Sequence, residues 1–405
     1  MGAKVRAKDP VLWVLTLAAS VAGLFAIFDA GYARSLQDHH GAIPSEFRSQ
    51  AIWLVVAAGV GLLSGTIRAS WWPKLARALF FLSLIGVALP LVPHLGVAMN
   101  GARRWVTFWP APVQPAEFFK VTTVLFLAAV LANRKPMPER RGTGVAAWLD
   151  YVVLPKFGRW LPALLVVIGA CLIESEPDLG TATVVIAIAA GMFLAGGVHR
   201  KTLLLGAALA IVGSVVLVWK QPYRMDRIRY HAERWAPQNV DGIGYQTAQS
   251  EAGMASGGIL GVGVGNGRAK HVLPAATTDF VMATVGEEFG LVGVWLTLAL
   301  LGAIVWRLFY QAARAPTPFA SQILAGVGCW IGFQACVNVL MANATAPAIG
   351  IPMPFISSGG SSLVALWLAI GLSQSVLKTE ESSLEAADAD RVHRWRHRRP
   401  RLSGA

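Results

Sequence analysis

The chain of 405 residues is 55% apolar and only 14% charged, and its 35 Lys and Arg against 22 Asp and Glu leave a formal charge of +13. Roughly a quarter of an ordinary soluble domain is charged, so most of this surface faces something other than water, and lipid is the simple answer. That excludes a soluble domain, and basic residues spread around apolar runs speak for membrane topology and against nucleic-acid binding.

The start, M-G-A-K-V-R-A-K, precedes an apolar run of spanning length with no small-residue cleavage signal, so it reads as an anchor retained in the mature chain. Apolar stretches follow near 11–31, 50–67, 76–93, 115–132, 160–173, 180–198, 202–219, 281–306, 320–342 and 356–377. Most reach the ~20 residues that a hydrocarbon layer of about 30 Å demands of a helix; 160–173 is short, ending before Glu174, Glu176 and Asp178. The predicted fold is all-α and polytopic, with about ten transmembrane helices. Residues 1–10 form an N-terminal tail, 11–377 the membrane domain with a large loop at 220–278, and 378–405 a basic tail. Placing both ends in the cytoplasm puts 23 of the 35 Lys and Arg inside, and seven of the 12 outside belong to 220–278, a loop long enough to count weakly. The tail's R-V-H-R-W-R-H-R-R-P-R then lies near anionic lipid. Cys171, Cys329 and Cys336 suit neither zinc nor disulfide spacing and read as small core residues.

Ionisable groups at membrane depth are costly, and each is a functional candidate. Asp29, Arg48, Arg103, Arg104, Glu117, Lys120, Glu174, Glu176, Asp178, Asp279, Glu287 and Glu288 fall near the outer face in this topology, as expected of a polar cavity open outward or of ion pairs that fix helix packing. Glu117 and Lys120, three apart on one helix face, suit the second reading as well as the first. Asp279 is the sharpest candidate. In L-P-A-A-T-T-D-F it stands where the large loop meets a helix, placed either to cap that helix or to act as a general base. Glu287, eight residues on, lies about 12 Å deeper, too far for the paired carboxylates of glycoside hydrolysis. The run G-G-I-L-G-V-G-V-G-N-G at 257–267 suggests an anion cradle, but lacks the strand and Walker residues of a nucleotide fold. It reads as a flexible or re-entrant external segment, with a lipid diphosphate as the alternative ligand. D-A-D at 388–390 has no α/β domain around it and reads as accidental.

Six blocks then resemble one family in the right order: G-A-R-R-W-V at 101–106, V-Q-P-A-E-F-F-K at 113–120, E-P-D-L-G-T-A at 176–182, G-Y-Q-T-A-Q-S at 244–250, T-D-F with G-E-E-F-G at 278–290, and I-P-M-P-F-I-S-S-G-G-S-S at 351–362. They are similar to the SEDS proteins of FtsW, RodA and SpoVE type. The resemblance implies a ten-helix SEDS fold and a peptidoglycan glycosyltransferase of the cytoplasmic membrane. Such an enzyme polymerises lipid II at the outer face with a class B penicillin-binding protein and other divisome or elongasome membrane proteins. It makes Asp279 the catalytic base and places Arg48, Arg103, Arg104, Gln114, Glu117, Lys120, Gln249 and Ser250 at the substrate. No nucleotide cofactor is required, because the substrate carries its own activation; a divalent cation, Mg or Mn, could share in stabilising the diphosphate.

The chain departs from the family pattern at Ala275 and Thr277, where Glu and His are usual, and at Ser358, where Tyr is usual. The F-I-S-S-G-G-S-S ending leans towards the division type. A lipid II flippase and a non-catalytic scaffold for a penicillin-binding protein remain as alternatives. The first lacks the inverted repeats of many transporters, and the second is disfavoured by the retained Asp279.

Overall fold

The computed structural model describes residues 9–37, 43–99, 102–108, 111–134, 154–197, 225, 229–242 and 244–377. Helix α1 (Pro10–Gln37) opens on a proline, whose missing N–H is harmless in a first turn, and Asp9 Oδ1 accepts from Val11 N at 3.1 Å and Leu12 N at 3.4 Å. The same carboxylate receives Arg307 Nε and Gln311 Nε2, each at 2.6 Å, and Gln374 exchanges two hydrogen bonds with the Asp9 backbone. Burial pushes the Asp9 carboxyl up, but Arg307 and Gln311 outweigh it and hold the group below its usual range. One residue thus joins α1 to α9 (Val281–Ala312) and α11 (Gly360–Leu377).

Nine of the ten expected apolar stretches coincide with helices, namely α1, α2 (Ser45–Ser64), α3 (Trp72–Ala88), α4 (Pro115–Ala132), α5 (Leu154–Ser175), α6 (Leu179–Ala195), α9, α10 (Pro318–Ala342) and α11. The tenth, 202–219, lies outside the described residues, as do the tail with D-A-D and residues 1–8. Among the described residues seven helices are long and apolar enough to cross a membrane, and Trp160–Ser175 and Leu179–Ala195 are apolar but shorter. The chain is a multi-pass membrane protein. Helices α4, α10 and α11 are mostly buried, whereas α2, α3 and α9 turn Val55, Leu63, Leu82 and Leu296 outward. Cys171 and Cys336 also lie exposed, correcting their expected core placement; only Cys329 packs inward, against Gly191. In lipid a small, weakly polar side chain is as much at home outside as in.

Small residues bring α2 and α11 together, as is usual where no hydrophobic effect drives helices to associate. A Cβ on Gly371 would collide with Ser64 Oγ and Gly61 O, and the contact is flanked by hydrogen bonds from Trp367 Nε1 to Ser20 Oγ and Trp72 Nε1 to Ser375 Oγ. Gly371→Leu is therefore expected to destabilise the bundle by about 1–3 kcal/mol. Gly302→Leu, where a Cβ meets nothing within 4 Å, is expected to leave thermal unfolding in detergent unchanged.

An antiparallel sheet qualifies the all-α expectation: β1 (Gly96–Met99), β2 (Ala102–Phe108) and β3 (Ala111–Val113) pair in that order. Strand alternation sends Arg103 and Arg104 to opposite faces.

The described part of 220–278, expected as a large loop, includes helices. It contains α7 (Tyr245–Gly257) and α8 (Ala269–Val272), and Arg234 grips Glu251 of α7 at 2.7 and 3.0 Å. That fork holds the Glu251 carboxyl below the usual range. The glycine-rich segment docks on α9 where Gly290, at φ +64°, breaks the helix. Val262 N and Gly263 N donate to Glu287 O and Glu288 O at 2.9 and 3.1 Å, while Leu291 N and Val292 N donate to Gly258 O and Ile259 O at 2.9 and 3.2 Å. The segment thereby supplies the hydrogen bonds that the broken helix lacks.

Candidate functional site

Residues 273–280 form a turn ahead of α9, seated on an apolar cluster of Ala30, Ala269, Leu273, Ala276, Phe280 and Ala283. The N-cap position of α9 is Phe280, with no side-chain cap bond, so Asp279 stands one residue too early for the expected cap. Three successive carbonyls of this turn are captured from outside it. Ser358 N donates to Thr277 O at 2.8 Å, Ser357 Oγ to Thr278 O at 2.5 Å and Asn338 Nδ2 to Asp279 O at 2.9 Å. The Asp279 side chain is half-buried beside Gly350, where a Cβ would stand 3.5 Å from Oδ2 and where φ is +73°. The backbone conformation calls for glycine there, while a Cβ would make only an ordinary contact with the carboxylate.

The segment 349–361 is the hub of this end of the bundle. Asn338 also donates to Ile351 O at 2.7 Å, and Gln334, one turn earlier on α10, donates to Pro352 O at 2.8 Å. Gln50 of α2 reaches Ser357 O and accepts from Gly359 N, and Gln114 N donates to Ser361 Oγ at 3.1 Å. These amides and hydroxyls escape a search confined to ionisable groups. Their signal is present nonetheless: Gln334 and Asn338 are polar residues four apart on one face of an otherwise apolar helix.

The expected site residues separate into groups. Lys120 is 1% exposed, bound to Glu117 at 2.8 Å and Gln334 Oε1 at 3.4 Å, with the Trp330 ring 5.0 Å away. Ser250 is fully buried and ties α7 to the end of α10 through Ala342 O at 2.6 Å. Glu117, Lys120 and Ser250 thus each make polar contacts within the protein. Arg104 is half-buried, donating to Glu176 O and Pro177 O and lying 3.9 Å from Asp178, which accepts from Gln114 Nε2 at 2.9 Å. Arg48 and Arg103 are exposed, and Gln249 is half-buried. Lys270 bridges Asp29 at 2.9 Å and Glu288 at 2.6 Å. Glu288 also accepts from Gly265 N and Gly267 N, and Glu287 from Ala269 N. The anion that fills the glycine cradle is thus the chain's own pair of carboxylates, which corrects the lipid-diphosphate alternative.

Glu176, between α5 and α6, is 1% exposed, and neither carboxylate oxygen has a hydrogen-bond partner among the described residues. Burial, with Asp178 adding to it and Arg104 offsetting part, pushes its carboxyl up to about 9. A raised folded-state pKa contributes stability at low pH that is lost as pH rises through the folded value. Glu176→Gln is accordingly expected to match wild type in thermal unfolding near pH 4.5 and to exceed it increasingly up to pH 9. A constant difference across that range would show that Glu176 does not titrate there.

Comparison with known proteins matches residues 9–382 to the cell cycle protein family of FtsW, RodA and SpoVE. A probable peptidoglycan glycosyltransferase FtsW of Allochromatium vinosum is 33% identical over 80% of this chain and 78% of its own length. Stage V sporulation protein E of Bacillus subtilis is 30% identical over 92% and 97%. Among solved structures, a chain from work on the structural coordination of polymerization and crosslinking by a peptidoglycan synthase complex superposes with a TM-score of 0.72 at 28% identity, covering 92% of this chain and 98% of that one. The rod shape determining protein RodA of Thermus thermophilus gives 0.64 at 27% identity, covering 93% and 98%. With the helical order, the pinned Asp279 turn and the 349–361 hub all lying inside the matched span, the chain belongs to the FtsW/RodA/SpoVE family.

Proposed function

We propose that this chain is a peptidoglycan glycosyltransferase that polymerises lipid II at the outer face of the cytoplasmic membrane, with Asp279 as its general base. The observation that carries the reading is the Asp279 turn, whose three pinned carbonyls hold a half-buried carboxylate in one place. Positioning of this kind is what proton abstraction needs. The acceptor sugar hydroxyl loses its proton to Asp279 as its oxygen bonds to the anomeric carbon of the lipid-linked strand. The bond from that carbon to the diphosphate breaks, and the polyprenyl diphosphate leaves with the electron pair. Exposed Arg48 and Arg103 are free to meet the negative charge that develops there, and Gln249 is accessible enough to touch a sugar.

Among the described residues no three His, Cys, Asp or Glu side chains gather as a metal site would require. A divalent cation near Asp279 would have the substrate's own diphosphate as its main ligand, and the proton transfer above is complete without it.

Similarity to a component of a complex that coordinates polymerization and crosslinking supports a class B penicillin-binding protein as partner, within a larger assembly of divisome or elongasome proteins. The FtsW and SpoVE relatives favour a division-type role, and the distribution of Lys and Arg favours both termini in the cytoplasm. The test is polymerisation of lipid II in liposomes by the purified chain with its cognate penicillin-binding protein. Glycan strands are expected, and equal yield from the partner alone would overturn the assignment.

A further inference from the structure

Two planes of charge bracket the bundle. At one end Asp9 meets Arg307 at 2.6 Å, and at the other Lys270 joins Asp29 to Glu288 at 2.9 and 2.6 Å. Along α1, Asp9 and Asp29 are 20 residues apart, and along α9, Glu288 and Arg307 are 19 apart. At 1.5 Å per residue both helices give a separation of about 30 Å, the thickness of a hydrocarbon layer. The triad therefore marks the outer edge of that layer.

The glycine-rich segment crosses this edge. Gly258 and Ile259 pair through their carbonyls with Leu291 N and Val292 N, which follow Glu288 on the side of the Arg307 plane. The tip thus reaches about 5 Å inside the plane of the triad. There Ile259 is 69% and Leu260 80% exposed, and Val264 is exposed beside them. These side chains continue the outward face of Leu291, Trp295 and Leu296 on α9.

A non-helical backbone is admissible at this depth only if its polar groups are satisfied within the protein. Here Gly258 O, Ile259 O, Val262 N and Gly263 N bond across the Gly290 break and Gly261 N bonds to Gly257 O, while behind the segment Lys270 is shared between Asp29 and Glu288 in the buried triad. We infer that residues 258–264 are a re-entrant segment whose tip, Ile259–Leu260, is embedded among lipid acyl chains rather than lying in the aqueous phase or under another protein. Depth and continuity with the outward face of α9 both point to acyl chains as the occupant.

The test uses the full chain in liposomes without any partner, with Cys171, Cys329 and Cys336 replaced by Ser or Ala. A nitroxide is attached at Leu260→Cys and, in a second protein, Ile259→Cys, with Leu296→Cys as the lipid-facing reference and Asp241→Cys as the exposed loop reference. Collision with oxygen, which concentrates in lipid, is compared with collision with a water-confined nickel chelate. The oxygen-to-nickel ratio at 259 and 260 is expected to match that at 296 and to exceed that at 241 several-fold. A ratio like that at 241 would place the tip in water and overturn the inference. Low collision with both reagents would mean that a second copy of the chain covers the tip, and would overturn it equally. Unchanged thermal unfolding identifies which labelled proteins are read, and either position alone is sufficient.

Discussion

Asp279→Asn is expected to lower glycan polymerisation by about 10²–10⁴-fold, the contribution of a positioned base, while leaving the protein folded. Asparagine has the shape of aspartate, and the contacts that hold the turn are made to backbone carbonyls of residues 277–279. The substitution removes the proton acceptor and leaves its support in place. Polymer length and yield from lipid II, measured with the partner present and at matched thermal unfolding, check it. Equal product from both proteins would remove Asp279 from the reaction and return the turn to a structural role. Thr277 and Ser358, two of the positions where the chain departs from the family pattern, are joined by the backbone bond from Ser358 N to Thr277 O. That bond survives a change of side chain, so the departures leave the position of the base intact.

The second large effect concerns Lys120. Replacing it with methionine removes one partner of a buried pair and leaves Glu117, 3% exposed, without its cation. Breaking such a pair typically costs about 3–5 kcal/mol, whereas replacing both members with apolar residues is often neutral or stabilising. Lys120→Met is accordingly expected to lose most of its folded yield, and Glu117→Leu with Lys120→Met to regain it. The double variant also separates packing from catalysis. A lysine that only fixes packing leaves a stable and active double variant, and a lysine that binds the diphosphate leaves a stable one without polymer. The internal geometry predicts the first result.

Much of the architecture was legible because lipid makes its demand in one dimension: about 20 apolar residues per crossing. The order and approximate places of nine helices followed from that, though α5 at Leu154–Ser175 is longer than the short 160–173 expected, and the i,i+3 pairing of Glu117 with Lys120 followed from helical spacing. Spacing along the chain is silent about depth and facing, however. It could not say that Arg103 points outward while Arg104 turns towards Asp178, because A-R-R-W-V-T-F lies in a strand too short to stand out beside the helices. Nor could it say that the glycine cradle is filled from within, since Glu287 and Glu288 lie 18 to 23 residues beyond the amides they bind. The supports of Asp279 were missed for a chemical reason. Amides such as Gln50, Gln334 and Asn338 cost less in an apolar helix than charges do, and so raise a weaker alarm.

The contacts of Asp9 bear on how the molecule is made. Its partners, Arg307, Gln311 and Gln374, lie 298 to 365 residues further along the chain. At synthesis rates of about 5–20 residues per second, the first helix waits roughly 20–70 s before the last of them leaves the ribosome. Until Arg307 and Gln311 are made, the capping carboxylate at the base of α1 has neither of these partners. The first helix to enter the membrane is thus among the last to be fastened, and a chain stopped short of residue 374 would lack its final latch.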